Sequence, residues 1–88
     1  MITKTVTIIN DAGLHTRPAA TMVKIAGKYD SEFFIQKDNY RINGKSIIGV
    51  MTLAAAKGST LSIECDGSDE EELAQEICAF FERGFDEL

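Results

Sequence analysis

The sequence predicts an α+β domain with the element order β-α-β-β-α-β-α, helices layered on a largely antiparallel sheet. Three observations carry that prediction. Residues 2–9 (ITKTVTII) and 58–65 (GSTLSIEC) alternate apolar with polar side chains, the period of a half-buried strand. Residues 16–26 and the segment after Ser68 repeat apolar residues at helical spacing. Between them, SEFFIQK and NYRI are two short strand candidates parted near Lys37, Asp38 and Asn39, which suits a hairpin.

In the first strand Ile2, Val6 and Ile8 face one side, with Lys4 among them at an end where it reaches solvent. NDAG then turns the chain. The first helix begins near Thr16 and runs to Ala26, with Pro18 tolerated in its first turn. Ala19, Met22, Val23 and Ala26 form its apolar stripe, and Gly27 suits its stop. NGKS leads into IIGVMTLAA, a short helix with Ser46 placed as N-cap. Leu61, Ile63 and Cys65 of the next strand point inward, Ser62 and Glu64 outward. For the last helix, Ser68 with Glu71 predicts a capping box, and Asp69, Glu70 and Glu72 suit its dipole. Leu73, Ile77, Phe80 and Phe81 supply its buried face, Arg83 its last turn and Gly84 its end.

Residues 1–88 form one domain, with no repeat, linker or low-complexity tract. A chain this short buries only about 60–65% of its unfolded surface, so an enclosed active-site cavity is not expected. An apolar fraction of 44% marks a folded globule. No apolar run approaches the roughly 20 residues of a membrane span, and the first residues lack the pattern of a signal peptide. A cytoplasmic location is expected, and Cys65 and Cys78 are then two buried, reduced thiols. Two cysteines and one distant histidine do not make a metal site, so no metal and no cofactor are expected. The net charge of -5 is uneven: residues 1–44 hold six basic and four acidic side chains, residues 45–88 three and ten. That balance disfavours nucleic acid as a ligand, while the basic half suits an acidic protein partner.

Chemistry concentrates in AGLHTRPAA, residues 12–20. His15, the only histidine, stands where a helix begins, and Arg17 follows two places on. A helix start offers backbone N–H donors and a favourable dipole to an anion. A neutral imidazole there is positioned to accept a phosphoryl group, and a guanidinium supplies fork-shaped donors for its oxygens. Spacing alone leaves open that His15 is a solvated or capping residue. No catalytic triad, P-loop or dinucleotide fingerprint accompanies it.

GLHTRPAA resembles the active-site signature of the HPr family, the histidine-containing phosphocarriers of the bacterial phosphoenolpyruvate:sugar phosphotransferase system. KSIIGVMTLAAAKGSTLSIECDGSDEEEL resembles the same family's second segment, and the likeness extends over essentially the whole chain. The resemblance implies an HPr-like open-faced β-sandwich: a four-stranded antiparallel sheet with three helices on one face. It implies that His15 takes a phosphoryl group on Nδ1 from phosphorylated enzyme I and passes it to an enzyme IIA domain, with Arg17 contacting the phosphoryl group. The chain would then be a monomeric relay intermediate without turnover of its own. It further implies that Ser46, otherwise an ordinary N-cap, is a regulatory site for an HPr kinase/phosphorylase.

The helix after Ser46 has hardly any polar face, so Ile48 and Met51 are expected to remain exposed. With Thr16, Ala20 and Ile47 they form the expected docking patch for partners. Two positions depart from the family pattern: Thr16, where many members have alanine and where an N-cap is expected, and Ala54, where a glycine is frequent. A nitrogen-related regulatory carrier of the same family and a Ser46-dependent corepressor-type regulator are the competing functions.

Overall fold

The computed structural model describes residues 1–88. Its elements are β1 (Ile2–Thr7), α1 (Thr16–Ala26), β2 (Glu32–Lys37), β3 (Tyr40–Asn43), α2 (Ile47–Thr52), β4 (Thr60–Asp66) and α3 (Glu70–Glu82), then a one-turn segment over Gly84–Asp86. The order is the one the sequence predicts. All four strands pair antiparallel in the spatial order β1-β4-β2-β3.

Alternation decides which face of the sheet is covered. In register, Ile63 of β4 lies opposite Ile35 of β2, which lies opposite Ile42 of β3. Leu61, Cys65, Phe33 and Val6 continue this apolar face, and all are buried. Helices α1 and α3 close over it with Met22, Leu73, Ile77, Phe80 and Phe81, while Val50 of α2 seals the β3 side. The opposite face stays open, with Arg41 stacked over Phe34 and paired to Glu64.

Several details depart from expectation. Strand β1 ends at Thr7, although Ile8 is still buried and exchanges hydrogen bonds with Gly58 and Ser59. Lys4 sits in mid-strand, on the covered face opposite Ile63, and is solvated because β1 is an edge strand. Ile25 joins the buried stripe of α1, whereas Val23 is only half-buried. Gly27 caps α1 in a right-handed conformation, so no left-handed glycine ends that helix.

The Ser68–Glu71 capping box predicted for α3 does not form. Asp69, not Ser68, is the N-cap, and Glu70 reaches back to the Gly67 N–H at 3.1 Å. The Asp69 carboxylate is occupied elsewhere, accepting from the N–H groups of Asp30 (2.8 Å) and Ser31 (2.9 Å) and from the Ser31 hydroxyl. It ties the start of α3 to the entry of β2, a role that single-element spacing does not reveal. Cys65 is buried and burial pushes its thiol up to about 11, but Cys78 is only half-buried.

Two residues in the connections adopt left-handed backbone, one suited to it and one not. Gly13 has φ 72°, and a Cβ there would lie 2.7 Å from the Ala55 carbonyl oxygen. Ala54 has φ 47° with a side chain that disfavours it, which is why glycine suits this position. Gly13→Ala should cost about 2 kcal/mol or more of stability. Ala54→Gly should add about 0.5–1 kcal/mol, as relief of left-handed strain exceeds the entropy of an added glycine. Urea unfolding followed by circular dichroism measures both.

Candidate functional site around His15

The loop from Ile8 to His15 is held on both sides before it delivers His15. Leu14 donates its N–H to the Ala55 carbonyl at 2.9 Å, and its side chain is buried. The Gly13 carbonyl accepts from the His15 N–H (3.1 Å) and from the Asn10 side-chain amide (3.0 Å). His15 is the N-cap of α1 in extended conformation, and its carbonyl accepts the first helical bond, from Ala19 at 3.0 Å. Thr16 is therefore the first helical residue and not the cap.

The N–H groups of Thr16 and Arg17 have no protein acceptor, and Pro18 has none to offer. Two unpaired donors thus lie directly after His15, at the positive end of an 11-residue helix. Arg17 is exposed and forms no ion pair with the protein. The His15 ring is 40% exposed.

The ring has one partner, which sequence spacing does not suggest. Glu87 approaches His15 Nε2 at 2.7 Å through Oε2 and 3.0 Å through Oε1. Asn10, itself buried, donates to the same Oε1 at 2.8 Å. The His15 hydrogen bond is the main reason the Glu87 carboxyl is held below the usual carboxylate range, with Asn10 and the charge of Arg17 adding to it. Asn10 Oδ1 is buried without a partner, yet the amide cannot turn over without placing its oxygen against two acceptors.

Glu87 reaches this position because the chain reverses after α3. Gly84, Phe85 and Asp86 all have positive φ, of 62°, 58° and 61°. Phe85 is buried against Phe80 and Phe81, with ring centroids 5.1 and 4.9 Å away, and Arg83 pairs with Asp86 at 2.7 Å. Each left-handed non-glycine residue costs about 1–2 kcal/mol, so the aromatic anchor is what holds the reversal.

Ser46 caps α2, its hydroxyl accepting from the Gly49 N–H at 3.1 Å. It is exposed, as are Ile47, Ile48 (75%) and Met51 (44%) on α2 and Thr16 and Ala20 on α1. Helices α1 and α2 pack against each other. The largest concavity, about 680 Å³, lies between β1 and α3 and is lined by Ile2, Lys4 and Cys78, not by His15. No three His, Cys, Asp or Glu side chains cluster as metal ligands, and no helix is long and apolar enough to cross a membrane.

Fold and site together define a small open-faced sandwich whose one imidazole sits uncovered at a helix start. Residues 2–83 match the family described as "PTS HPr component phosphorylation site". The chain is 42% identical over 87 residues to the phosphocarrier protein HPr of Treponema pallidum, covering 99% of both. It is 42% identical over 83 residues to the HPr-like protein Crh of Halalkalibacterium halodurans, covering 94% of this chain and 99% of that one. The crystal structure of HPr-C-His from Thermoanaerobacter tengcongensis superimposes with a TM-score of 0.95 at 39% identity, covering 100% and 99%. This chain belongs to the HPr family of phosphotransferase-system phosphocarriers.

Because the folded-state Glu87 carboxyl is depressed, its contact contributes stability above the ordinary carboxylate range and loses it as pH falls through the depressed value. The stability advantage of the native chain over Glu87→Gln should therefore be present at pH 7 and disappear in stronger acid. Urea unfolding of both proteins across that range measures it.

Proposed function

We propose that this chain accepts a phosphoryl group from phosphorylated enzyme I on His15 and hands it to enzyme IIA domains of the sugar phosphotransferase system. The observation that carries this reading is the set of donors around the ring: unpaired N–H groups of Thr16 and Arg17 and an unpaired Arg17 guanidinium. Fixed dipoles and a cation placed where phosphoryl oxygens come to rest stabilise transferred charge without reorganisation. An exposed ring lets each partner supply the other half of the transition state, which suits a relay better than an enclosed site. Arg17 contacts the phosphoryl group, and Thr16, Ala20, Ile47, Ile48 and Met51 make the docking face. Met51 helps one surface adapt to several partners. In this reading the carrier is a cytoplasmic monomer; an HPr from Thermoanaerobacter tengcongensis has been crystallised as a dimer, and sedimentation equilibrium distinguishes the two states here.

Ser46 is the regulatory site in the same proposal. An HPr kinase/phosphorylase would place a phosphate of about -1.5 to -2 charges beside the apolar docking residues. Partner choice then changes through charge and desolvation, with little refolding. Likeness to the HPr-like protein Crh supports a second reading, a regulator acting through Ser46 alone, although His15 and Arg17 are both present.

Incubation with phosphoenolpyruvate and enzyme I should add one acid-labile phosphate, absent from His15→Ala; equal labelling of that variant overturns the assignment. Arg17→Ala should slow acceptance about tenfold, equivalent to about 1.4 kcal/mol of barrier. Ser46→Ala should block an acid-stable phosphate from an ATP-dependent kinase. A native chain that takes only the acid-stable label supports the regulator instead.

A further inference from the structure

We propose that Glu87, held by Asn10 and by the reversed chain end, is a positioning residue for His15: it fixes the proton on Nε2, leaves Nδ1 as the reacting nitrogen, and neutralises the cation formed there. This rests on the phosphocarrier reading of His15 and adds to it how the reacting nitrogen is selected.

Three features of the structure converge on this carboxylate. It lies 2.7 Å from Nε2 and is an acceptor only when ionised, so Nε2 carries the hydrogen. The Nδ1 lone pair is then free, with no hydrogen-bond partner in the protein. Asn10 grips Glu87 Oε1 while also binding the Gly13 carbonyl, the same carbonyl that receives the His15 N–H. One buried amide therefore fixes both the carboxylate and the backbone of the residue it orients. Lastly, three successive positive-φ residues and a buried Phe85 bring Glu87 back from the end of α3. Strain concentrated beside a reactive group is a signature of function, because surrounding structure must maintain it.

The transfer step balances as follows. The Nδ1 lone pair attacks phosphorus, the N–P bond forms, and the donor's bond to phosphorus breaks with its electron pair returning to the donor. The Nε2 proton remains in place, so the ring becomes a phosphoimidazolium cation hydrogen-bonded to the Glu87 anion. A carboxylate behind an imidazole does the same in hydrolase triads, holding the tautomer and stabilising the cation without taking the proton. On the return step the cationic ring is the better leaving group, and the same carboxylate keeps it poised.

Three proteins separate orientation from charge: native, Glu87→Gln and Glu87→Ala. Glutamine keeps an acceptor at Nε2 but removes the charge; alanine removes both. Nitrogen-15 NMR of labelled His15, recorded with the ring neutral, should show the Nε2–H tautomer in the native chain and in Glu87→Gln, and a mixture in Glu87→Ala. Phosphorylation by phosphoramidate, a small donor that needs no docking surface, should slow about tenfold in Glu87→Gln and further in Glu87→Ala. Unchanged amide spectra away from the site establish that the variants are folded. Tautomer and rate both unchanged in Glu87→Ala overturn the proposal. An altered tautomer with unchanged rate also overturns it, because orientation would then have no chemical effect. If the native chain takes no phosphoryl group on His15 from either donor, the phosphocarrier reading fails, whereas normal labelling of all three proteins at one rate fails this proposal alone.

Discussion

The placement of His15 depends on how closely two loops approach. Gly13 lies against Ala55 at a distance that a methyl group would not survive, and the adjacent Leu14 N–H closes the contact with a hydrogen bond. From that anchor the Gly13 carbonyl gathers the His15 N–H and the Asn10 amide. The first turn of α1 therefore leaves a fixed point, and the two N–H groups that follow His15 remain unpaired. With this anchor behind it, the imidazole stays 40% exposed and the Arg17 guanidinium is exposed and free of any ion pair.

This economy also accounts for how an 88-residue domain holds its one histidine exposed and oriented without a cavity around it. The buried face of the sheet is covered by α1, α2 and α3, and the concavity left between β1 and α3 is not lined by His15. In the proposed transfer, selectivity comes from donors fixed on one side and from the surface that docks on the other. The apolar side chains of α2 are exposed because a six-residue helix buries only Val50 against the sheet. In the proposed function, stability and recognition divide the same short segment between them.

Much of this is legible from residue order. Alternation in TVTII and TLSIEC, and the stripes of α1 and α3, decide which side chains go inside, since burial follows period. His15 and Arg17 stand out because an imidazole and a guanidinium two places apart at a helix start make a ready anion site. Glu87 is not legible. Its meeting with His15 spans 72 positions and depends on three left-handed residues, two of them non-glycine, held by the Phe85 anchor and the Arg83–Asp86 pair. Asn10 reads as a turn residue, because turn chemistry and side-chain support look identical in a linear pattern. The cap of α3 shifts by one residue for a similar reason: Asp69 serves the distant β2 entry, and local spacing carries no trace of that.

Lys4 has a protective consequence. Strand β1 is a sheet margin, and a valine in its place would complete a dry stripe from β1 through Ile63 and Ile35 to Ile42. Such a margin invites another chain to add a strand. A solvated ammonium on the inward row makes that addition costly, because it would have to be dehydrated first. At the other margin, β3 is only four residues long and offers little to pair with. The row of the sheet that packs the core thus ends at a charged, solvated margin.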